Sequence, residues 1–221
     1  MAPVHLEILV EEFSMEVFLR ELLARCIPSG KTFDIHSFQG KGDLLEKLPN
    51  RLKGYAPWLP ADWRIVVVLD QDDDNCQKLK QKLEQIAQEV GLTTRTQVGP
   101  CQWQVVNRIV TEELEAWYFG DWQAVCTAYP KVNLNIPKKS RYRNPDQIKG
   151  GTREAFERLM KQRGYFPAGL ERIEAARAIG KYIDPSRNRS RSFQIFYQAL
   201  CEALREECSS SQAFRPSTKT K

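Results

Sequence analysis

The sequence predicts an α/β protein: a mostly parallel sheet flanked by helices on both faces, followed by a basic helical C-terminal region. Three observations carry this expectation. β-rich runs alternate with amphipathic helical runs, in the order strand, helix, strand, helix, strand, helix, strand. The longest aliphatic run, Ile65–Leu69, has the length of a strand and is far too short to span a membrane. Acidic residues gather directly after two strand-like runs, at the carboxyl ends where open α/β sheets collect ligands.

Val4–Val10 alternates and is β-rich, so it reads as a strand ending at Glu11-Glu12. Ser14 is positioned to cap the next segment, where Met15, Phe18, Leu19, Leu22, Leu23 and Cys26 recur at helical spacing. Pro28-Ser29-Gly30 turns the chain into a second strand, Thr32–Phe38. After Gly40-Lys41-Gly42 a short helix is expected from Asp43 to about Leu52, with Pro49 as its weak point. The loop YAPWLPADW leads to the most β-like run, Arg64–Leu69, and Asp70–Asn75 follows as an acidic loop. Leu79, Leu83, Ile86, Ala87 and Val90 mark one helical face that stops at Gly91. Thr93–Val98 reads as a strand, and Val105–Val110 as another that feeds the helix EELEAWYF.

After Pro130 the character changes. KVNLNIPKKSRYRNPDQIKGG is a basic, Pro/Asn/Gly-punctuated loop, and helices are expected at about 152–163, 168–182 and 192–207. The expected organisation is an α/β core over 1–130, a basic helical extension packed on it over 131–208, and a disordered tail over 209–221. Charge follows the same division. Residues 1–130 carry 13 Lys and Arg against 19 Asp and Glu, whereas residues 131–221 carry 20 against 9. That asymmetry suits metal-binding carboxylates beside a polyanion-binding surface; solvated helix faces are the plainer account.

Composition excludes several classes. With 42% hydrophobic and 28% charged residues the chain is an ordinary globular sequence and not a disordered one. MAPVHLEILVEE lacks a basic leader region, which argues against a signal peptide. The six cysteines form no Cys-x-x-Cys pair and only two histidines are present, so no zinc site is expected. Reduced thiols in a cytoplasmic protein are the reading. His5 and His36 read as packing or surface residues, and the five tryptophans as core.

The chemistry-bearing positions are Glu11 after the first strand and the acidic loop DQDDDN after the third. Asp70 and Asp72 can point to one side of an extended segment. Carboxylates crowded at one sheet edge repel each other, and a hard divalent cation relieves that. Glu112, Glu113 and Glu115 add a third acidic group; Thr111 is a possible cap there, with Glu112 and Glu115 on one helix face. For any one of these residues a solvated surface position is the default, and Glu12, Glu16 and Asp73 are read as solvated or helix N-terminal charges. An EF-hand is excluded, because Asn75 and Gln81 stand where Gly and Glu are required. GKGD (40–43) and KGGT (149–152) lack P-loop spacing. In the basic half, Lys138, Lys139, Arg141 and Arg143, and then Arg187, Arg189 and Arg191 at the start of the last helix, could hold a nucleic-acid backbone. Internal ion pairs are the alternative for these arginines.

The segments VEEFSMEVFLRELL, GKGDLLEKLPNRLKGYAPW, VVLDQDDDNCQKLKQKL, NRIVTEELEAWYFGDW, AYPKVN, YRNPDQIKGGTREAFERL and RNRSRSFQIF resemble a Toprim-like family classed as a domain of unknown function and related to OLD-family and RloB-type nuclease modules. The resemblance spans residues 4–205 and implies a Toprim-like α/β core. It puts the Toprim glutamate on Glu11, the Asp-x-Asp pair on Asp70 and Asp72, and the acidic helix motif on Glu113 and Glu115. Glu12-Phe13-Ser14 follows the glutamate where many such nucleases carry Gly and a small or Pro-containing turn. The implied activity is phosphodiester hydrolysis of DNA or RNA with Mg²⁺ or Mn²⁺. Asp70 and Asp72 would hold the metal, Glu113 or Glu115 would complete its shell, and Glu11 would bind a second metal or act as general base. An ABC- or AAA-type ATPase partner in phage defence is also implied, with no membrane association. The rival reading is a non-catalytic metal- or partner-binding subunit of an ATPase complex, and an RNA-cleaving toxin is a further alternative.

Overall fold

The computed structural model describes residues 5–72, 74–100 and 102–204. Four parallel strands, β1 (His5–Val10), β2 (Thr32–Ser37), β3 (Trp63–Asp70) and β4 (Val105–Val110), form one sheet in the order β2-β1-β3-β4. Helices α1 (Phe13–Cys26), α2 (Lys41–Tyr55), α3 (Cys76–Glu89) and α4 (Arg95–Val98) fall between the strands. α5 (Glu115–Gly120), α6 (Trp122–Ala128), α7 (Thr152–Lys161), α8 (Arg172–Gly180) and α9 (Arg191–Leu204) follow them. Among the described residues no helix is long and apolar enough to cross a membrane.

Side-chain alternation divides the core into two layers. Leu6, Ile8, Val10, Val66, Val68, Val106 and Val110 face a large cluster that includes Phe18, Trp117, Phe156, Phe193 and Phe196. Leu9, Ile65, Val67, Leu69 and Val105 face a smaller aliphatic cluster with Leu44, Leu48, Leu52, Leu79 and Leu83. A strand covered on both faces has no position left for polar residues, which is why β3 reads as an unbroken aliphatic run. The large cluster takes side chains from both sides of residue 130. Gly180 of α8 lies so close to α1 that an added Cβ would stand 3.0 Å from the Phe18 carbonyl oxygen.

Several boundaries differ from the sequence expectation. Thr93–Val98 is not a strand. Thr94 makes one bridge to Val105 and then caps α4, with its N–H donating to Gln97 Oε1 at 2.9 Å. That is a Thr-x-x-Gln capping box, a local signal stronger than the β-propensity of the threonines. α2 runs unbroken through Pro49. A mid-helix proline costs ~3 kcal/mol. Leu44, Leu48 and Leu52, each fully buried, contribute about 1.5–3 kcal/mol apiece and outweigh it. EELEAWYF is helical only from Glu115, because Glu112 adopts a positive φ of 60°, so Glu112 and Glu115 do not share a helix face. Ser14 lies inside α1, where its hydroxyl donates to the Glu12 carboxylate; Glu12 is the N-cap position. The expected 131–151 loop contains three single-turn 3₁₀ helices, Ile136–Lys138, Ser140–Tyr142 and Pro145–Gln147. The tail expected at 209–221, and Asp73, lie outside the described residues.

Candidate metal centre

β1, β3 and β4 are neighbours, so the residues that follow them emerge along one edge of the sheet. Glu11 and Asp70, 59 residues apart in sequence, meet there: the Asp70 N–H donates to Glu11 Oε2 at 3.0 Å. The next turn joins the loops after β3 and β4, with Asp72 N–H donating to the Glu112 carbonyl at 3.1 Å. Both residues of that contact hold left-handed backbone, φ 48° at Asp72 and φ 60° at Glu112. Such strain in side chains other than glycine is tolerated where surrounding structure enforces it and is concentrated at functional sites.

These turns border a cleft of about 790 Å³. Its lining includes an acidic set, Glu11, Glu12, Asp70, Asp72, Glu112, Glu113 and Glu154, together with Lys149, Gly150, Gly151, Arg153 and Arg172. Cations from three helices pair part of the acidic set. Lys41 of α2 contacts Asp72 at 2.6 Å and Asp74 at 2.9 Å. Arg153 of α7 contacts Glu113 at 3.0 Å. Arg172 of α8 contacts Glu12 at 2.6 Å and stands 3.9 Å from Glu115 Oε1. Glu11 and Asp70 have no ion pair among the described residues. Asp70 is only 4% exposed, and its Oδ1 has no hydrogen-bond partner.

The electrostatics follow from that geometry. Burial, then the charges of Glu11 and Glu115, hold the Asp70 carboxyl well above the usual carboxylate range. Burial also raises Glu11, against the opposing hydrogen bond from Asp70, and raises Glu113 despite Arg153. Glu115 is pushed up to about 7, chiefly by burial. Crowding is held in check by distance: among the described residues, no three of these side chains bring oxygens within 4.8 Å of one another.

Of the residues singled out in the sequence, Glu11, Asp70, Asp72 and Glu113 therefore line one cleft, and Glu115 does not line it. Glu115 is almost fully buried, and its Oε2 lacks a hydrogen-bond partner. Glu12 and Glu16 are charges at the amino end of α1, one of the two places expected for them, and both have partners. Glu12 is tied to Arg172, and Glu16 accepts from the Ser37 hydroxyl at 2.5 Å. None of Lys138, Lys139, Arg143, Arg187, Arg189 or Arg191 lines the cleft. Lys138, Lys139, Arg143, Arg189 and Arg191 are exposed and make no ion pair among the described residues. Arg187 is an internal ion-pair residue, held by buried Asp121 at 3.1 Å and by Asp184 at 3.0 Å. The start of α9 is already capped, because Asp146 accepts from the Arg191 N–H at 2.5 Å and from the Ser190 hydroxyl at 2.6 Å. A phosphate would have to displace that carboxylate.

Sequence reasoning missed Lys41, Lys149, Arg153 and Arg172. Arg172 meets Glu12 across 160 residues, and no spacing rule connects them. The KGGT segment, which lacks P-loop spacing, contributes Lys149, Gly150 and Gly151 to the lining of the cleft.

No curated protein matches the chain. A solved structure, the C-terminal region of the Burkholderia pseudomallei OLD protein, is similar with a TM-score of 0.48 and 14% identity, covering 90% of this chain and 96% of that one. The family model for the domain of unknown function DUF4276 matches residues 10–201, and the chain belongs to that family.

Proposed function

We propose that the chain is a Mg²⁺- or Mn²⁺-dependent phosphodiesterase that cleaves nucleic acid. One observation carries the reading: Asp70 is buried beside Glu11 with an oxygen that no protein group satisfies. A buried carboxylate in that state is stabilised by a hard cation. The donor set fits, since Glu11, Asp70, Asp72 and Glu113 offer only oxygen, which suits Mg²⁺ and Mn²⁺. Glu11 and Asp70 would hold the ion, with Asp72 and Glu113 flanking it. When bound, the ion would supply Lewis-acid stabilisation of charge developing on a phosphoryl group.

The protein's own groups have separate roles. Arg153, Arg172 and Lys149 set positive charge among the carboxylates of the cleft, where a phosphate needs it. Nothing stands where a Cβ on Gly150 would be, so a nucleic-acid backbone can approach there closely, whereas the Glu154 carboxylate lies over Gly151. Glu11, placed beside Asp70 by the hydrogen bond between them, would orient the attacking water at the ion it helps to hold. Exposed Lys138, Lys139, Arg143, Arg189 and Arg191 would hold backbone phosphates without reading sequence. An ATPase partner in phage defence is part of the same proposal and rests on the motif resemblance. A cytoplasmic setting is part of the same proposal and rests on the cysteine pattern of the sequence, which has no Cys-x-x-Cys pair.

One observation favours the non-catalytic alternative, a metal- or partner-binding subunit of an ATPase complex: Asp72, Glu12 and Glu113 already have cationic partners. Cleavage assays separate the two readings. Supercoiled DNA, single-stranded DNA and tRNA are incubated with Mn²⁺, with and without a candidate ATPase, using the parent and Glu11→Gln. Cleavage by the parent that disappears in Glu11→Gln supports the nuclease. Mn²⁺ binding with no cleavage on any substrate supports the subunit reading. Cleavage that survives in Glu11→Gln removes Glu11 from the mechanism.

A further inference from the structure

The amino end of the sheet holds a second group of metal-ligating side chains, on different residues from the cleft. Parallel pairing sets His5 opposite Thr32, Glu7 opposite Asp34 and Leu9 opposite His36. With a period of two, His5, Glu7, Asp34 and His36 share the face on which α2 packs. Nε2 of His5, a Glu7 carboxylate oxygen and an Asp34 carboxylate oxygen all lie within 4.8 Å of one another.

The bonding around these atoms is directional. Glu7, with its side chain 8% exposed, receives the Tyr55 hydroxyl at 3.0 Å and His36 Nε2 at 2.8 Å, both on Oε2. Its Oε1 meets only His5 Nε2, at 3.4 Å. His5 makes its short contact with the other nitrogen, since Nδ1 lies 2.7 Å from Thr32 Oγ1, and its ring packs against Trp63 with centroids 4.0 Å apart and the planes tilted by 38°. Its Nε2 therefore points at Glu7 Oε1 and, at 3.8 Å, at Asp34 Oδ2. Both separations exceed a good N–H···O bond of about 2.7–3.2 Å. They approximate the spacing of two ligands on one tetrahedral ion, about 3.3–3.6 Å for bonds of ~2.0–2.2 Å.

We propose that His5 Nε2, Glu7 Oε1 and Asp34 Oδ2 form a three-ligand site for a late first-row divalent cation, Zn²⁺ foremost. An imidazole with two carboxylates is a Zn²⁺ donor set and a poor one for Mg²⁺. Thr32 fixes the His5 ring, and His36 and Tyr55 fix the Glu7 carboxylate, the outer-shell arrangement that such ligands require. Asp34, with its side chain 63% exposed on edge strand β2, opens the site to solvent and leaves the fourth position for water. The cysteine count does not bear on this site, because no thiol takes part.

The test uses tag-free full-length protein stripped with a chelator and then titrated with Zn²⁺ against a chromophoric competitor, with excess Mg²⁺ present. The expected result is one competing Zn²⁺ per chain, kept in Asp70→Asn and weakened at least about tenfold in His5→Gln and in Asp34→Ala. His36→Asn, which removes an outer-shell contact, is expected to weaken it by about tenfold as well. Asp34→Ala alters an exposed side chain and decides the matter if His5→Gln fails to fold. No competition by the parent, or parental Zn²⁺ affinity in Asp34→Ala, overturns the site and leaves a hydrogen-bonded Glu7 network. Loss of the Zn²⁺ in Asp70→Asn alone also overturns it, by assigning the ion to the cleft.

Discussion

The two ends of the sheet hold similar acidic side chains in opposite states. At the amino end Glu7 is buried but supplied with donors, from Tyr55, His36 and, at longer range, His5. At the carboxyl end Asp70 is equally buried, and its Oδ1 has no donor. Burial alone is therefore not what marks the cleft; burial without compensation is. Glu7 is met by the fold at Oε2 and keeps Oε1 for the ion proposed above, whereas Asp70 Oδ1 is met by nothing among the described residues.

The largest expected effect tests that difference directly. Asp70→Asn should lower Mn²⁺ affinity of the cleft by at least about 100-fold, because it removes the central charged ligand, while Glu7→Gln should leave it unchanged; calorimetry on both variants reads the contrast. Without metal, Asp70→Asn should also raise the melting temperature by about 2–4 °C per kcal/mol of relieved repulsion. Equal Mn²⁺ losses in the two variants would erase the distinction between the two ends.

Next comes Arg172→Ala. It strips Glu12 and Glu115 of their cation, and is expected to destabilise the metal-free protein by about 1–3 kcal/mol, discounted for the partial exposure of the arginine. Divalent cations should restore part of that loss, as read by thermal melts with and without Mn²⁺. A smaller effect concerns pH. Asp70, Glu11, Glu113 and Glu115 all bind protons more tightly folded than unfolded, so the folded state keeps protons that the unfolded chain releases. Stability should be greatest below the ordinary carboxylate pKa and fall as pH rises from about 4.5 through about 7, the value at Glu115. Saturating Mn²⁺ should flatten that slope. A metal-free stability rising across this window would contradict the carboxyl-end assignment.

The smallest effect asks whether the basic surface serves the cleft. Arg189→Ala with Arg191→Ala should reduce the salt dependence of nucleic-acid binding by a slope of about one per lost phosphate contact. Arg187→Ala should instead lower the melting temperature, since it leaves buried Asp121 without its cation. Overlaid binding curves for the double variant would detach those two arginines from nucleic acid.

Much of the carboxyl end was legible because strand ends are legible. Glu11 and Asp70 follow runs with clear β character, and adjacent parallel strands bring their ends together. The compensating half was not. Arg153 and Arg172 arrive on helices whose docking is fixed by the shared aromatic core, which no local pattern encodes. The amino end was illegible for a different reason: His5 and Glu7 acquire meaning only through the register of β1 on β2, and sequence alone does not print a parallel register. The Thr93–Val98 error was avoidable, since Thr94 and Gln97 spell a capping box.

The far-separated pairing of Glu12 with Arg172 also has a meaning in time. A ribosome makes the acidic residues of the cleft from Glu11 through Glu113 before either Arg153 or Arg172 exists. At about 5–20 residues per second, the carboxylates wait several seconds for their cations. Through that interval Lys41 can already pair Asp72, but Glu12 and Glu113 have only ions from solution. α7 and α8 then replace those borrowed counterions with the chain's own.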